Sequence, residues 1–99
     1  RVGDLSVDTS TLQVERAGKM LTLTPISYKL LCVLMRASPS VVSRRDLERK
    51  VWGDILPDSD TLRSHLYNLR KVIDKPFTQP LLQTIQGSGY RIVVPDSDG

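Results

Sequence analysis

Over the first 23 residues apolar positions alternate with polar ones: Leu5 and Val7, Leu12 and Val14, Leu21 and Leu23. A period of two sends alternate side chains to opposite faces, so this segment predicts short, half-buried strands of a small antiparallel sheet. Ala17-Gly18, between Arg16 and Lys19, supplies a hairpin turn, since Gly18 adopts positive φ without cost.

At Thr24-Pro25 the period changes. Thr24 is a helix-capping residue, and Pro25 fits the first helical position, where its missing N–H is harmless. Tyr28, Leu30, Leu31, Leu34 and Met35 then form an apolar stripe at helical spacing, which Ser38-Pro39-Ser40 ends. Val41-Val42 reads as a short extended link. Ser43, with Asp46 three residues on, opens a second helix whose Leu47 and Val51 face inward and which Gly53 closes. Residues 53–59 read as a loop. A third helix is predicted from about Asp60 to Asp74, stopped by Pro76. Its apolar positions Leu62, Leu66, Leu69 and Ile73 recur at intervals of 4, 3 and 4. That stripe leaves Asp60, Ser64, Tyr67, Asn68 and Lys71 on the opposite face, with Arg63 and Arg70 on the flanks. Residues 81–85 and 90–94 are two strands around the turn Gln86-Gly87-Ser88-Gly89.

The net charge of +3 over 99 residues, from 14 bases and 11 acids, permits a nucleic-acid partner without demanding one. Its distribution says more. Residues 43–75 carry eight bases and six acids, and 76–99 carry one and two. With no block of like charge, any basic patch must be assembled by folding. The best local candidate is Thr61 to Lys75, where Arg63, Arg70, Lys71 and Lys75 face one acid, Asp74. One cysteine, Cys32, cannot form an internal disulfide and suits a reducing compartment. The longest apolar run, Leu30 to Met35, is far short of the ~20 residues that span a bilayer. No export leader opens the chain, and a first residue of Arg rather than Met predicts a piece of a longer protein.

A capped second helix, a loop, a basic third helix and a Gly-turned hairpin follow in the order of a winged helix-turn-helix. The predicted class is α+β: an N-terminal antiparallel sheet, a three-helix core and a C-terminal β-hairpin wing. An α-helix fits the DNA major groove, and a two-stranded ribbon can reach the neighbouring backbone or minor groove. On the third helix Asn68 can pair bidentately with adenine, Ser64 can donate or accept, and Tyr67 offers an apolar ring with a hydroxyl. Arg63, Arg70 and Lys71 are placed to grip phosphates.

The strings LTPISYKLL (23–31), VVSRRDLERKVWG (41–53), HLYNLRK (65–71) and QTIQGSGYRI (83–92) resemble the OmpR/PhoB-type effector domain of bacterial two-component response regulators. The resemblance covers nearly the whole chain in order. It implies a third helix at about 60–74 in the major groove, a wing at 82–94 against the adjacent minor groove, and two copies on tandem half-sites. It further implies that Trp52 and His65 meet the DNA backbone, that Arg70 contacts DNA, and that Thr84 and Tyr90 act from the wing. Gln86 and Ser88 at the wing's turn complete the expected set. Asp54, Ile55, Leu56 and Asp58 fall in the loop that touches RNA polymerase in that family. Expected partners are therefore double-stranded DNA, RNA polymerase and an N-terminal receiver domain, phosphorylated by a sensor histidine kinase. The expected state on DNA is a dimer and the expected location the cytoplasm. Residues 1–95 form the effector domain and 96–99 a tail. Three positions depart from the family pattern. Gln86 stands where an arginine is usual, Arg63 replaces an acidic residue, and Ser27 replaces a glutamate.

Plainer readings stand beside these. His65, the only histidine, has no second ligand at metal spacing, so it is a phosphate contact or surface filler rather than a zinc ligand. Cys32 is a packing residue or a redox sensor, and Trp52 a core plug, a backbone contact or both. Gly87-Ser88-Gly89 is a tight turn, since no helix N-terminus follows it to bind phosphate. Arg44, Arg45, Arg49 and Lys50 are a solvated face or further backbone contacts. No second histidine, serine elbow or motif-placed carboxylate pair supports catalysis, and no metal or cofactor is expected. The rival function is a winged-helix protein-interaction module using the same third-helix face against an acidic partner.

Overall fold

The hydroxyl of Thr24 accepts a hydrogen bond from the Ser27 N–H at 3.2 Å and caps helix α1 (Pro25–Ala37). The computed structural model in which this is seen describes residues 2–54 and 59–94, with side chains except at 59 and 60. Helix α2 (Arg44–Trp52) begins the same way, Ser43 Oγ accepting from the Asp46 N–H at 3.1 Å. It stops at Gly53, whose φ of 74° suits a residue without Cβ, and whose N–H donates to the Arg49 carbonyl. Helix α3 spans Ser59–Ile73. It thus starts and ends one residue earlier than its sequence pattern suggests, within the usual fraying of helix ends.

Among the described residues two separate sheets flank the helices. The first joins β1 (Leu5–Asp8), β2 (Gln13–Arg16) and β3 (Lys19–Leu21) in that order, antiparallel throughout. Ala17 and Gly18 have φ of 53° and 80°, the doubly positive turn that matches strand twist in a tight hairpin. Leu12 departs from the predicted alternation. Leu12 does not alternate inward with Val14: it has a φ of 60°, precedes the strand and is 66% exposed. The residue that shares the inward face with Val14 is Arg16.

The second sheet is the C-terminal hairpin, β4 (Leu82–Ile85) against β5 (Gly89–Ile92), with Thr84 opposite Tyr90. Each strand is one residue shorter than predicted and β5 starts one residue earlier, while the Val93 N–H still donates to the Leu81 carbonyl at 3.0 Å, in register with the last ladder pair. The Val41-Val42 link is more than a spacer. Val42 and Tyr90 exchange backbone hydrogen bonds of 2.7 and 2.9 Å, which ties the hairpin to the start of α2. The two chains pass so closely that a Cβ on Gly89 would lie 2.1 Å from the Val42 carbonyl oxygen.

The core lies between these layers. Leu30, Leu31 and Leu34 of α1, Leu47 and Val51 of α2, and Leu62, Leu66, Leu69 and Ile73 of α3 meet Leu5 and Val14 of the first sheet. Leu81, Leu82 and Ile92 extend the cluster under the hairpin. Burying each such side chain contributes roughly 1.5–3 kcal/mol, so the stripe on α3 holds its opposite face outward. Among the described residues no helix is long and apolar enough to cross a membrane.

Candidate nucleic-acid interface

With Leu62, Leu66, Leu69 and Ile73 inside, the α3 side chains of Arg63, Ser64, Tyr67, Asn68 and Lys71 all lie exposed, as the stripe predicts, whereas the Asp60 side chain lies outside those described. Lys71 Nζ sits 5.5 Å from the centre of the Tyr67 ring, so a cation and an aromatic face share one patch of this surface. Asp74, the single acid expected to offset the bases, is absent from that surface. It is only 5% exposed and pairs internally with Arg16. Of the charges between Thr61 and Lys75, the four bases therefore face out or sit at the edge while the acid is neutralised within.

Arg70 occupies the edge, half-buried. Its Nη2 donates to Thr84 Oγ1 at 3.0 Å and to the Leu82 carbonyl at 3.3 Å. One guanidinium corner is thus spent holding strand β4 against α3. A guanidinium carries five N–H donors, so three remain beyond those two bonds. Thr84 is exposed and Tyr90, across the ladder, half-buried. Gln86 and Ser88 are exposed at the turn, which the Ser88 N–H closes onto the Ile85 carbonyl at 2.9 Å. Gly87, at φ 78°, takes the conformation that side chains disfavour, so the tight-turn reading of Gly87-Ser88-Gly89 is the one the backbone adopts.

His65 and Trp52 pack ring against ring, their centroids 5.9 Å apart and the planes tilted by 45°. Both are half-buried, and Trp52 also touches the apolar cluster. His65 Nδ1 is buried without a hydrogen-bond partner in the protein. A groove of about 570 Å³ runs from Ser43, Arg44 and Arg45 at the head of α2 to residues 84–90 of the hairpin. It brings the α2 bases Arg44 and Arg45 beside the hairpin. Arg44 is not merely solvated, since it pairs with Glu48 at 3.4 Å. Asp54 is exposed, whereas Ile55, Leu56 and Asp58 lie outside the described residues. Among the described residues no group of three His, Cys, Asp or Glu could hold a metal ion.

Sequence reasoning missed Arg16, the most buried charged residue described, at 1% exposure. Its Nε meets Asp4 Oδ1 at 3.0 Å, and its Nη1 meets Asp74 Oδ1 at 3.0 Å and also the Ile73 carbonyl. Nη2 donates to the Gln79 carbonyl, and the guanidinium carbon stands 4.6 Å over the Phe77 ring. The available signal was its spacing from Val14: two residues apart on one strand means the same face.

A capped helix pair, an exposed basic third helix and a hairpin clamped to its edge define a winged helix-turn-helix domain. The family model described as transcriptional regulatory protein, C terminal, matches residues 18–92. The chain is 39% identical over 95 residues to the transcriptional regulatory protein AfsQ1 of Streptomyces coelicolor, covering 94% of this chain and 42% of that protein. It is 34% identical over 93 residues to the phosphate regulon transcriptional regulatory protein PhoB of Rhizobium meliloti, covering 93% and 41%. The crystal structure of the response regulator AdeR DNA-binding domain, in complex with an intercistronic region, superposes with a TM-score of 0.79 at 26% identity, covering 96% of this chain and 99% of that one. The chain belongs to the C-terminal domain family of transcriptional regulatory proteins, of the OmpR/PhoB response-regulator type. It spans about two fifths of the length of the curated relatives it matches.

Proposed function

We propose that this domain binds duplex DNA sequence-specifically to regulate transcription, as the output domain of a phosphorylation-controlled response regulator. One observation carries the reading: α3 turns Arg63, Asn68 and Lys71 to solvent while the acid that follows its C-terminal end, Asp74, is drawn into the interior. Such a face matches the phosphate charge and presents an amide that pairs with adenine in the major groove. The AdeR domain, solved on DNA, supports it by likeness.

In this reading Asn68, Ser64 and Tyr67 read base edges, while Arg63, Lys71 and Arg70 neutralise phosphates. Trp52 and His65 contact the backbone beside α3, and Thr84, Gln86, Ser88 and Tyr90 do so from the wing. Residues 1–95 act as the effector domain and 96–99 as a tail. Two copies occupy tandem half-sites as a dimer, and the loop containing Asp54, Ile55, Leu56 and Asp58 meets RNA polymerase. A receiver domain, phosphorylated by a sensor kinase in the cytoplasm, raises affinity by linking two binding events rather than by new chemistry in this domain. The domain is a binder and not an enzyme.

Selection of bound duplexes from a random pool tests this. Enrichment of one short sequence, repeated at fixed spacing, supports the reading. No enrichment at low salt, together with a tight protein complex that buries α3, replaces it with a protein-interaction module.

A further inference from the structure

Segment 74–81, which joins α3 to β4, has no helix or strand of its own to fix its path. Beside the turn bonds from the Lys75 N–H to the Arg70 carbonyl and from the Phe77 N–H to the Asp74 carbonyl, its course is held by one buried ion pair, Arg16 with Asp74. Asp74 Oδ1 accepts the Leu81 N–H at 2.9 Å, and Oδ2 accepts the Leu82 N–H at 3.0 Å, so a single carboxylate fixes where β4 begins. Arg16 holds that carboxylate, the last helical carbonyl at Ile73, the mid-segment carbonyl at Gln79 and the face of Phe77. Yet Arg16 belongs to β2, in the other sheet. One turn before Asp74, Arg70 grips the same strand at Leu82 and Thr84.

We infer that Arg16 is a positioning residue for DNA binding: through Asp74 it sets the exit of β4 and so the placement of Thr84 and Arg70 at the DNA face. This rests on the DNA-binding reading above. Its chemical requirement is a planar fork. Arg16 spreads its bonds over Nε, Nη1 and Nη2 to four acceptors, Asp4, Ile73, Asp74 and Gln79, a pattern that the single ammonium of lysine does not reproduce. Displacement of β2 is thereby passed to the wing, although the two sheets share no ladder.

The test measures affinity of the 99-residue chain for a duplex selected by the wild type, by fluorescence anisotropy over a salt series. Arg16→Met, Thr84→Ala and their double variant are compared at a temperature where circular dichroism shows each folded. A residue that only stabilises the fold leaves the salt dependence of the folded molecules unchanged. A positioning residue lowers the slope of log K against log salt by about 1 to 2, because wing and Arg70 phosphate contacts are lost. Thr84→Ala then costs little more in the Arg16→Met background than Arg16→Met alone. An unchanged slope with fully additive losses overturns the inference. Arg16→Lys and Asp4→Ala, which weaken the fork without emptying its site, carry the same prediction if Arg16→Met does not fold. Failure of the wild type itself to bind any duplex contradicts the DNA-binding reading instead.

Discussion

Arg70 Nη2 stands 3.0 Å from Thr84 Oγ1, so the third helix and the wing are joined by a side chain that also lies at the edge of the exposed basic face. Arg70→Ala removes both a cation and this tie. Binding to every duplex weakens alike, and the salt slope becomes shallower by about 1. The ratio of affinities for target and scrambled duplexes, measured by anisotropy, stays constant. Loss of that ratio would give Arg70 a base-reading role instead.

Asn68 is predicted to divide the labour with Arg70. It is exposed on the same helix, and its amide matches the donor and acceptor of adenine. Asn68→Ala relaxes preference at one base pair, costing about 1–3 kcal/mol there and little elsewhere. Competition with duplexes altered one pair at a time reads this directly. A uniform loss across all duplexes would place Asn68 on the backbone.

Gly89 is predicted to be intolerant of any side chain. Its φ is 147°, and an added Cβ would sit 2.1 Å from the Val42 carbonyl oxygen. Gly89→Ala must push the wing away from the start of α2, breaking the Val42–Tyr90 bonds at a cost of more than about 1 kcal/mol. Hydrogen exchange at the Val42 and Tyr90 amides should accelerate. Unchanged protection would mean that the wing is not clamped there.

Leu69, fully buried on α3, is predicted to carry stability rather than recognition. Leu69→Ala leaves a cavity and costs about 2–5 kcal/mol, which lowers the melting temperature by roughly 10 °C or more. Its folded fraction at low temperature keeps the wild-type sequence preference. A changed preference with unchanged melting would reverse the assignment.

Much of this architecture could be read from periodicity. The capping residues Thr24 and Ser43, the 4-3-4 stripe of α3 and the glycine-turned wing are local signals, and local hydrogen bonds and one buried face suffice to enforce them. Leu12 misled because alternation over two positions cannot tell a strand residue from one in the turn before it. Asp74 and Arg16 lie 58 residues apart, and no local pattern pairs them. Sequence spacing therefore leaves Asp74 as an acid among the α3 bases and Arg16 as a flank of a hairpin turn, with nothing to join them. The exposed face of the candidate site was legible because it is the complement of the core stripe. The tie from Arg70 to Thr84 was not, since it depends on how the connection 74–81 folds back.

On the proposed reading, this basic helix and its clamped wing bind duplex DNA through its phosphates as well as its bases. Anisotropy titration of a labelled duplex across a range of salt concentrations tests it most directly. Log affinity is predicted to fall linearly with log salt, each neutralised phosphate contributing a slope of about −0.9, for a total of several units. A flat response, or no duplex binding at low salt, would contradict it.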